Sequence, residues 1–367
     1  MCRRGLLDGG DDDGTKRFLP PEGGSHGAMM KVLLVEPAYD HPLPSLFIMK
    51  AMTYWRMEGE EVVATRGMGI ETEEPDLIQI TFPIWSWAFE KGIATVKFYQ
   101  GRYPKAEIQI GGVMATLHEK LVVERTGIKP HLGPVLAIEE SRPDYTYPPS
   151  LRCDVAQVRA WIGCPKDCDF CMVTKAFGAR LIPVRGWRSH WDASKRIWQW
   201  IDDNASVAPP EWWEETADFF QAVGHKVDQN SGNEPRWMTD RKTDALVRMP
   251  MSCYRTAFDE KDEEKFVRRF IEMLLQRGVP PSKIHCYLLF GFKDDIEDAL
   301  YRFDILWGEY HVMPFAMRMV PLDWFGGRWD YCPPHWERPD LINFARYVNQ
   351  KKMMKKMTWK QFKERAS

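Results

Sequence analysis

From residue 31 to residue 320, short apolar runs alternate with segments of helical apolar spacing, and no other feature of the chain constrains its fold as tightly. Parallel strands in one sheet need a long crossover between them, usually a helix, so repeated strand–helix units predict parallel sheets with helices packed against them. Residues 31–35, 62–64, 77–82 and 106–110 read as strands. Between them, Leu46, Met49, Met52 and Trp55 recur at helical spacing with Gly59 as a stop, and 87–99 and 115–125 read as further helices. These elements predict a small doubly wound domain over 30–138. The aperiodic, proline-bearing stretch 139–150 reads as a linker. A second alternating series follows in 151–330. Its strands are expected at 155–162, 197–201, 226–230, 254–258, 284–290 and 315–320, and its helices at 211–223, 240–248 (capped by Thr239 or Asp240), 263–277 and 296–310. Six such units are too few for a closed eight-strand barrel, so an open partial barrel is expected. In parallel folds of this kind, ligands bind beyond the carboxyl ends of the strands.

The remaining composition narrows the setting. Fifty basic side chains against 52 acidic ones leave a net charge of −2, so no global field draws the chain to nucleic acid or to an anionic membrane. No run approaches the roughly 18–20 apolar residues that span a bilayer, so no membrane partner is expected. Residues 1–29 are polar, carry Asp11, Asp12 and Asp13, and lack a signal-peptide core; they read as a disordered tail, with the cytoplasm as the expected compartment. The segment 331–367 reads as a helical, basic tail, with Lys351, Lys352, Lys355, Lys356, Lys360 and Lys363. A solvated helical face explains these lysines, and a contact with nucleic acid or an acidic partner is the alternative. The 16 tryptophans and 19 methionines read as core packing rather than as base-stacking platforms.

Of the eight cysteines, Cys2, Cys153, Cys253, Cys286 and Cys332 are scattered, whereas Cys164, Cys168 and Cys171 fall within eight positions. In Gly163-Cys164-Pro165-Lys166-Asp167-Cys168-Asp169-Phe170-Cys171, three thiolates on one loop can hold three corners of an iron–sulfur cubane, which usually takes four. The fourth iron then stays open for a ligand, as metal-centred chemistry requires. A zinc site with Cys153 as fourth ligand is the competing reading, but zinc knuckles pair cysteines in two separate turns and this chain has no second pair.

The cysteine loop, with Phe170 before its last cysteine, resembles the signature of the radical SAM superfamily, and the likeness covers about 156–321. The resemblance implies a [4Fe-4S] cluster on Cys164, Cys168 and Cys171. S-adenosylmethionine would sit on the fourth iron and be reductively cleaved to a 5′-deoxyadenosyl radical that takes hydrogen from a substrate, here unidentified. It also implies a partial (β/α)6 TIM-type barrel and a reductant such as flavodoxin or ferredoxin. By the same resemblance Phe170 lies near the adenine, Asp202, Asp203 and Asn204 receive the SAM amino group in place of the usual Gly-Gly-Glu-like element, and Asn230 and Asp259 contact the ribose or substrate. Gly291, in Leu289-Phe290-Gly291-Phe292, lets backbone approach the adenine. Arg318 reaches the SAM carboxylate or makes a structural ion pair.

The first domain is similar to the Rossmann-like, B12-binding-type domain that precedes many radical SAM cores, through its alternation, the Glu36-Pro37-Ala38-Tyr39 loop and Gly111-Gly112. The cobalt-ligating Asp-x-His-x-x-Gly string is absent from the chain, and His41 follows Asp40 directly. A degenerate domain is therefore expected in preference to cobalamin binding. Three functions remain: hydrogen abstraction by a radical SAM enzyme, cobalamin-dependent methyl transfer, and a non-enzymatic zinc or scaffold module.

Overall fold

The computed structural model describes residues 29–69, 72–147, 154–327 and 329–366. The chain forms two compact units that divide at Pro148 and Pro149. Nearly all of the expected tail 1–29, residues 148–150 of the expected linker, Cys2 and Cys153 lie outside the described residues.

The first unit contains β1 (Lys31–Glu36), α1 (Leu46–Met57), β2 (Glu61–Arg66), β3 (Leu77–Phe82), α2 (Phe89–Arg102), β4 (Glu107–Gly112), α3 (Val113–Leu117), α4 (Glu119–Thr126) and α5 (Leu136–Glu139). Its strands form one parallel sheet in the order β2-β1-β3-β4. Strands β1 and β3 are buried on both sides, as expected for a parallel sheet covered by crossover helices. Helix α1 starts at Ser45, whose side chain accepts from the Ile48 N–H, and buries Ile48, Met49, Met52 and Trp55 against the sheet. The one helix expected over 115–125 is two, α3 and α4, meeting at His118. Much of the expected linker is packed onto this unit. Tyr147 is buried in its core, Lys50 pairs with Glu139 at 3.0 Å, and Asp144 pairs with Arg56.

The second unit contains β5 (Val155–Val158), β6 (Trp161–Ile162), α6 (Met172–Phe177), β7 (Ile182–Pro183), β8 (Ile197–Trp200), α7 (Pro210–Val223), β9 (Val227–Gln229), α8 (Asp240–Arg248), β10 (Tyr254–Ala257), α9 (Glu264–Gln276), β11 (Ile284–Phe290), α10 (Ile296–Phe303), β12 (Met313–Arg318), α11 (Arg338–Asn349), α12 (Lys351–Lys356) and α13 (Trp359–Ala366). The parallel sheets β5-β8-β9 and β10-β11-β12 follow chain order, and parallel bridges Val227–Met251 and Asn233–Thr256 link β9 to the β10 region. The helix expected over 296–310 is α10 followed by a wider π turn at Asp304–Glu309. Helix α9 shows why these helices dock: Val267, Phe270, Ile271 and Leu274 recur on one face and are fully buried, each stabilising the fold by ~1.5–3 kcal/mol. At the edge strand β12, the Asn349 side chain of α11 acts as a substitute strand, accepting from the Ala316 N–H at 2.9 Å and donating to its carbonyl at 3.0 Å. The basic tail is thereby helical and anchored, with Lys351, Lys352, Lys355, Lys356, Lys360 and Lys363 on its exposed side.

Candidate functional site

The cysteine loop begins where β5 and β6 end. Gly163 has φ +88°, and a Cβ there would collide with the Arg180 carbonyl, so glycine alone suits the turn before Cys164. The antiparallel pair β6–β7 and the short helix α6 frame the loop on either side, and neither β7 nor α6 was expected from the sequence. Cys171 caps α6, its sulfur accepting from the Val173 N–H at 3.5 Å.

The residues after β8 turn back onto this loop. Asp202 is 1% exposed, and its Oδ1 accepts from the Ala160 N–H and, at 2.9 Å, from the Trp161 N–H. Asp203 Oδ2 accepts from the Gly163 N–H at 2.7 Å. Asn204 Nδ2 donates to the Cys164 sulfur at 3.1 Å. All three residues expected to face an amino group thus hold the loop or its thiol, and the Asn204 Oδ1 is buried without a partner. Burial pushes the Asp202 carboxyl up to about 7 despite its two backbone donors. The strand end is fixed from behind, because Trp200 packs against Trp213 and Phe220 of α7 and Trp213 Nε1 donates to the Ala205 carbonyl at 3.2 Å.

An ion-pair lattice absent from the sequence reading clamps the other side of the loop. Lys166, between the first two cysteines, bonds Glu234 at 2.8 Å and Glu263 at 2.9 Å, and Arg236 pairs with both carboxylates. Glu263 is only 4% exposed and also accepts from the Asp259 N–H at 3.0 Å. Such a pair is retained in a buried place only when its hydrogen bonds are nearly complete, as here. The half-buried Asp259 carboxyl is pushed up to about 7, first by desolvation and then by Glu263. It lies within electrostatic reach of Cys168 and Cys171.

The other expected residues are distributed around the strand ends. Phe170 meets Phe292 edge-on at 5.3 Å, and Asp169 pairs with Lys293 at 2.8 Å, so the loop also touches the turn after β11. In that turn Gly291 has φ +77°, and the space where its Cβ would stand is occupied by Pro333 and Leu341 at 3.2 and 3.3 Å. That glycine makes room for the start of α11. Asn230 is exposed, and its carbonyl accepts from the Tyr287 hydroxyl at 2.8 Å. Arg318 lies over the Trp329 ring at 5.4 Å. Buried Arg302 donates to the carbonyls of Phe258, Asp259 and Leu289 and pairs with Asp294, tying the ends of β10 and β11 together.

The three thiols are within electrostatic reach of one another, and burial together with the neighbouring thiols raises two of them: Cys168 up to about 12, and Cys171 in the same direction. Among the described residues, no group of three or more His, Cys, Asp or Glu side chains is close enough to hold one metal ion. Three soft donors on one loop, with backbone and amide N–H groups already aimed at two of their sulfurs, suit an iron–sulfur cluster, whose positive irons stabilise thiolate.

This chain shares its fold with a radical SAM enzyme. The likeness is to the structure of the cobalamin-dependent S-adenosylmethionine radical enzyme OxsB with aqua-cobalamin bound, at a TM-score of 0.59 and 12% identity. It covers 89% of this chain and 56% of that one, so the chain spans little more than half the length of this neighbour. No family model matches the chain, and no curated protein matches its sequence. No helix among the described residues is long and apolar enough to cross a membrane.

Proposed function

We propose that this chain is a radical SAM enzyme, with Cys164, Cys168 and Cys171 holding a [4Fe-4S] cluster at the mouth of a partial (β/α)6 barrel built from β5 and β8 to β12. The observation that carries the reading is the placement of three clustered cysteines on one loop at the carboxyl ends of parallel strands, where such folds bind ligands. When bound, the cluster and S-adenosylmethionine supply an electron to the sulfonium and, from its cleavage, a carbon radical able to take hydrogen from a substrate.

The chain's own residues bind and orient. Asp202 and Asp203 fix the backbone into which Cys164 is set. The lattice of Lys166, Arg236, Glu234 and Glu263 holds the same loop from the β9 and β10 side. The partnerless Asn204 Oδ1 is an acceptor suited to an ammonium, and Phe170 with Phe292 offers aromatic surface to an adenine. Asp259, close to the cysteines, would serve the ribose or substrate, and Arg318, over the Trp329 ring, the carboxylate. The electron donor would be a small reductant of the flavodoxin or ferredoxin kind.

The proposal includes no histidine-ligated cobalamin, because the chain lacks the Asp-x-His-x-x-Gly string. His41 turns Nδ1 onto its own loop, 3.3 Å from the Leu43 carbonyl, and lays its ring 4.6 Å from that of Trp85. Glu36 at the end of β1 is already taken by Arg66, Tyr39 and the Ser45 N–H.

The test is anaerobic incubation of the reconstituted protein with S-adenosylmethionine and dithionite. The proposal expects methionine and 5′-deoxyadenosine, and a cluster-loaded sample that forms neither contradicts it.

A further inference from the structure

Resting on the radical SAM reading, we propose that Asn204 is a positioning residue with two roles. Its Nδ2 donates to the Cys164 thiolate, and its Oδ1 accepts from a cationic nitrogen of the ligand at the open iron, so one amide couples ligand occupancy to the cluster's reduction potential. Asn204 is 6% exposed, and the 3.1 Å separation between Nδ2 and Sγ is short for a nitrogen–sulfur bond. The chemistry selects this orientation of the amide, because a thiolate accepts and only the nitrogen end donates. Backbone contacts hold the residue from both sides: Asp203 before it is tied to Gly163, and the Ala205 carbonyl after it accepts from Trp213. The other donor to Cys164 is the Lys166 N–H at 3.4 Å, which any residue at that position supplies. Among the described residues, the Asn204 contact is therefore the donor to Cys164 that a side-chain change removes.

Two consequences follow from the donor and the acceptor separately. Hydrogen bonds to cluster sulfurs help to set the reduction potential, and a donor that stabilises the more negative, reduced state raises it. The Oδ1, buried without a partner, is a costly acceptor to leave unfilled, and an ammonium brings the N–H groups that satisfy it. A ligand that pulls on Oδ1 polarises the same amide that bonds the sulfur.

Asn204→Asp keeps the acceptor and loses the donor, whereas Asn204→Leu loses both. Iron and sulfide content is measured first, followed by the midpoint potential by redox titration monitored by electron paramagnetic resonance, and then the affinity for S-adenosylmethionine. The expected result is a shift to more negative potential in both loaded variants. S-adenosylmethionine affinity should fall about tenfold or more in Asn204→Leu alone. Wild-type potentials in both loaded variants overturn the donor role, and unchanged affinity in Asn204→Leu overturns the acceptor role. Should neither variant load a cluster, wild-type protein carrying isotope-labelled asparagine amide nitrogen decides the donor role. A nitrogen coupled to the reduced cluster in pulsed resonance supports it, and the absence of that coupling overturns it. A wild-type protein that assembles no iron–sulfur cluster overturns the radical SAM reading instead, and shows it before any variant is made.

Discussion

The two units use parallel strands in opposite ways. In the first, β3 is buried at every position and β1 at all but its first, so both faces of the sheet centre are covered. In the second, β5 is buried throughout, but β8, β9, β10, β12 and the first part of β11 alternate: Trp198, Trp200, Thr256, Cys286, Leu288 and Ala316 are buried, while Gln199, Asp228, Arg255, His285, Tyr287, Phe315 and Met317 are only partly buried or exposed. A parallel sheet is normally covered on both faces, so a sheet that leaves one face partly open has room there for something else. The partly exposed positions carry an ion pair, Arg255 with Asp228, along with the apolar Phe315 and Met317, and Gln199 among them bonds the buried Gln157 of β5 at 3.0 Å. The first unit closes both faces at the centre of its sheet, and the second leaves one side of several strands partly exposed, with the cysteine loop at the rim formed by the strand ends.

Substitutions in the two units should separate these roles. The largest effect belongs to the rim: changing Cys164, Cys168 or Cys171 to Ala should abolish stable iron–sulfur content while leaving circular dichroism close to wild type. Retention of full iron by any one of these variants would break the assignment. Next is Trp55→Ala in the first unit. Trp55 is fully buried and its Nε1 donates to Gln79 Oε1 at 2.9 Å, so the change should cost ~3–5 kcal/mol in denaturant unfolding of that unit and leave cluster loading intact. A loss of under about 1 kcal/mol would mean that the scaffold sheet is less closed than the burial shows.

The third effect is a pH dependence at the rim. The folded Asp202 carboxyl is raised to about 7, so between about pH 4, where an ordinary carboxyl ionises, and pH 7 the folded state keeps a proton that the unfolded chain has lost. Its contribution to stability is therefore full at low pH and is lost as pH rises through about 7. Asp202→Asn should flatten part of that decline in thermal unfolding measured across the same window, leaving the part due to Asp259, and an unchanged profile would contradict it. The smallest effect is expected on the open face. Phe315 is 49% exposed, so Phe315→Ala should change stability by no more than about 0.5 kcal/mol. A larger loss would show that this face is covered.

Much of this architecture is legible in the sequence. Every strand of the first sheet and the β8-to-β12 series fall at or within a few residues of the apolar runs, because period and punctuation are local properties. The cysteine loop is legible for the same reason. The parts that were not legible depend on contacts between distant residues. Nothing near Glu234 or Glu263 marks them as partners of Lys166, 68 and 97 positions away. Asp202 and Asp203 read as ligand acceptors from their place after a strand, yet they bond backbone N–H groups about 40 residues upstream. Gly291 is required by Pro333 and Leu341, which the sequence does not place beside it. The strand β7, two residues long, is too short to carry a period at all.

The most direct test of the central claim is elemental analysis joined to electron paramagnetic resonance on anaerobically reconstituted protein, with and without S-adenosylmethionine. The account predicts about four irons and four sulfides per chain and a reduced-cluster signal that changes when S-adenosylmethionine is added. About one zinc per chain with no sulfide, or a cluster signal indifferent to S-adenosylmethionine, would contradict it.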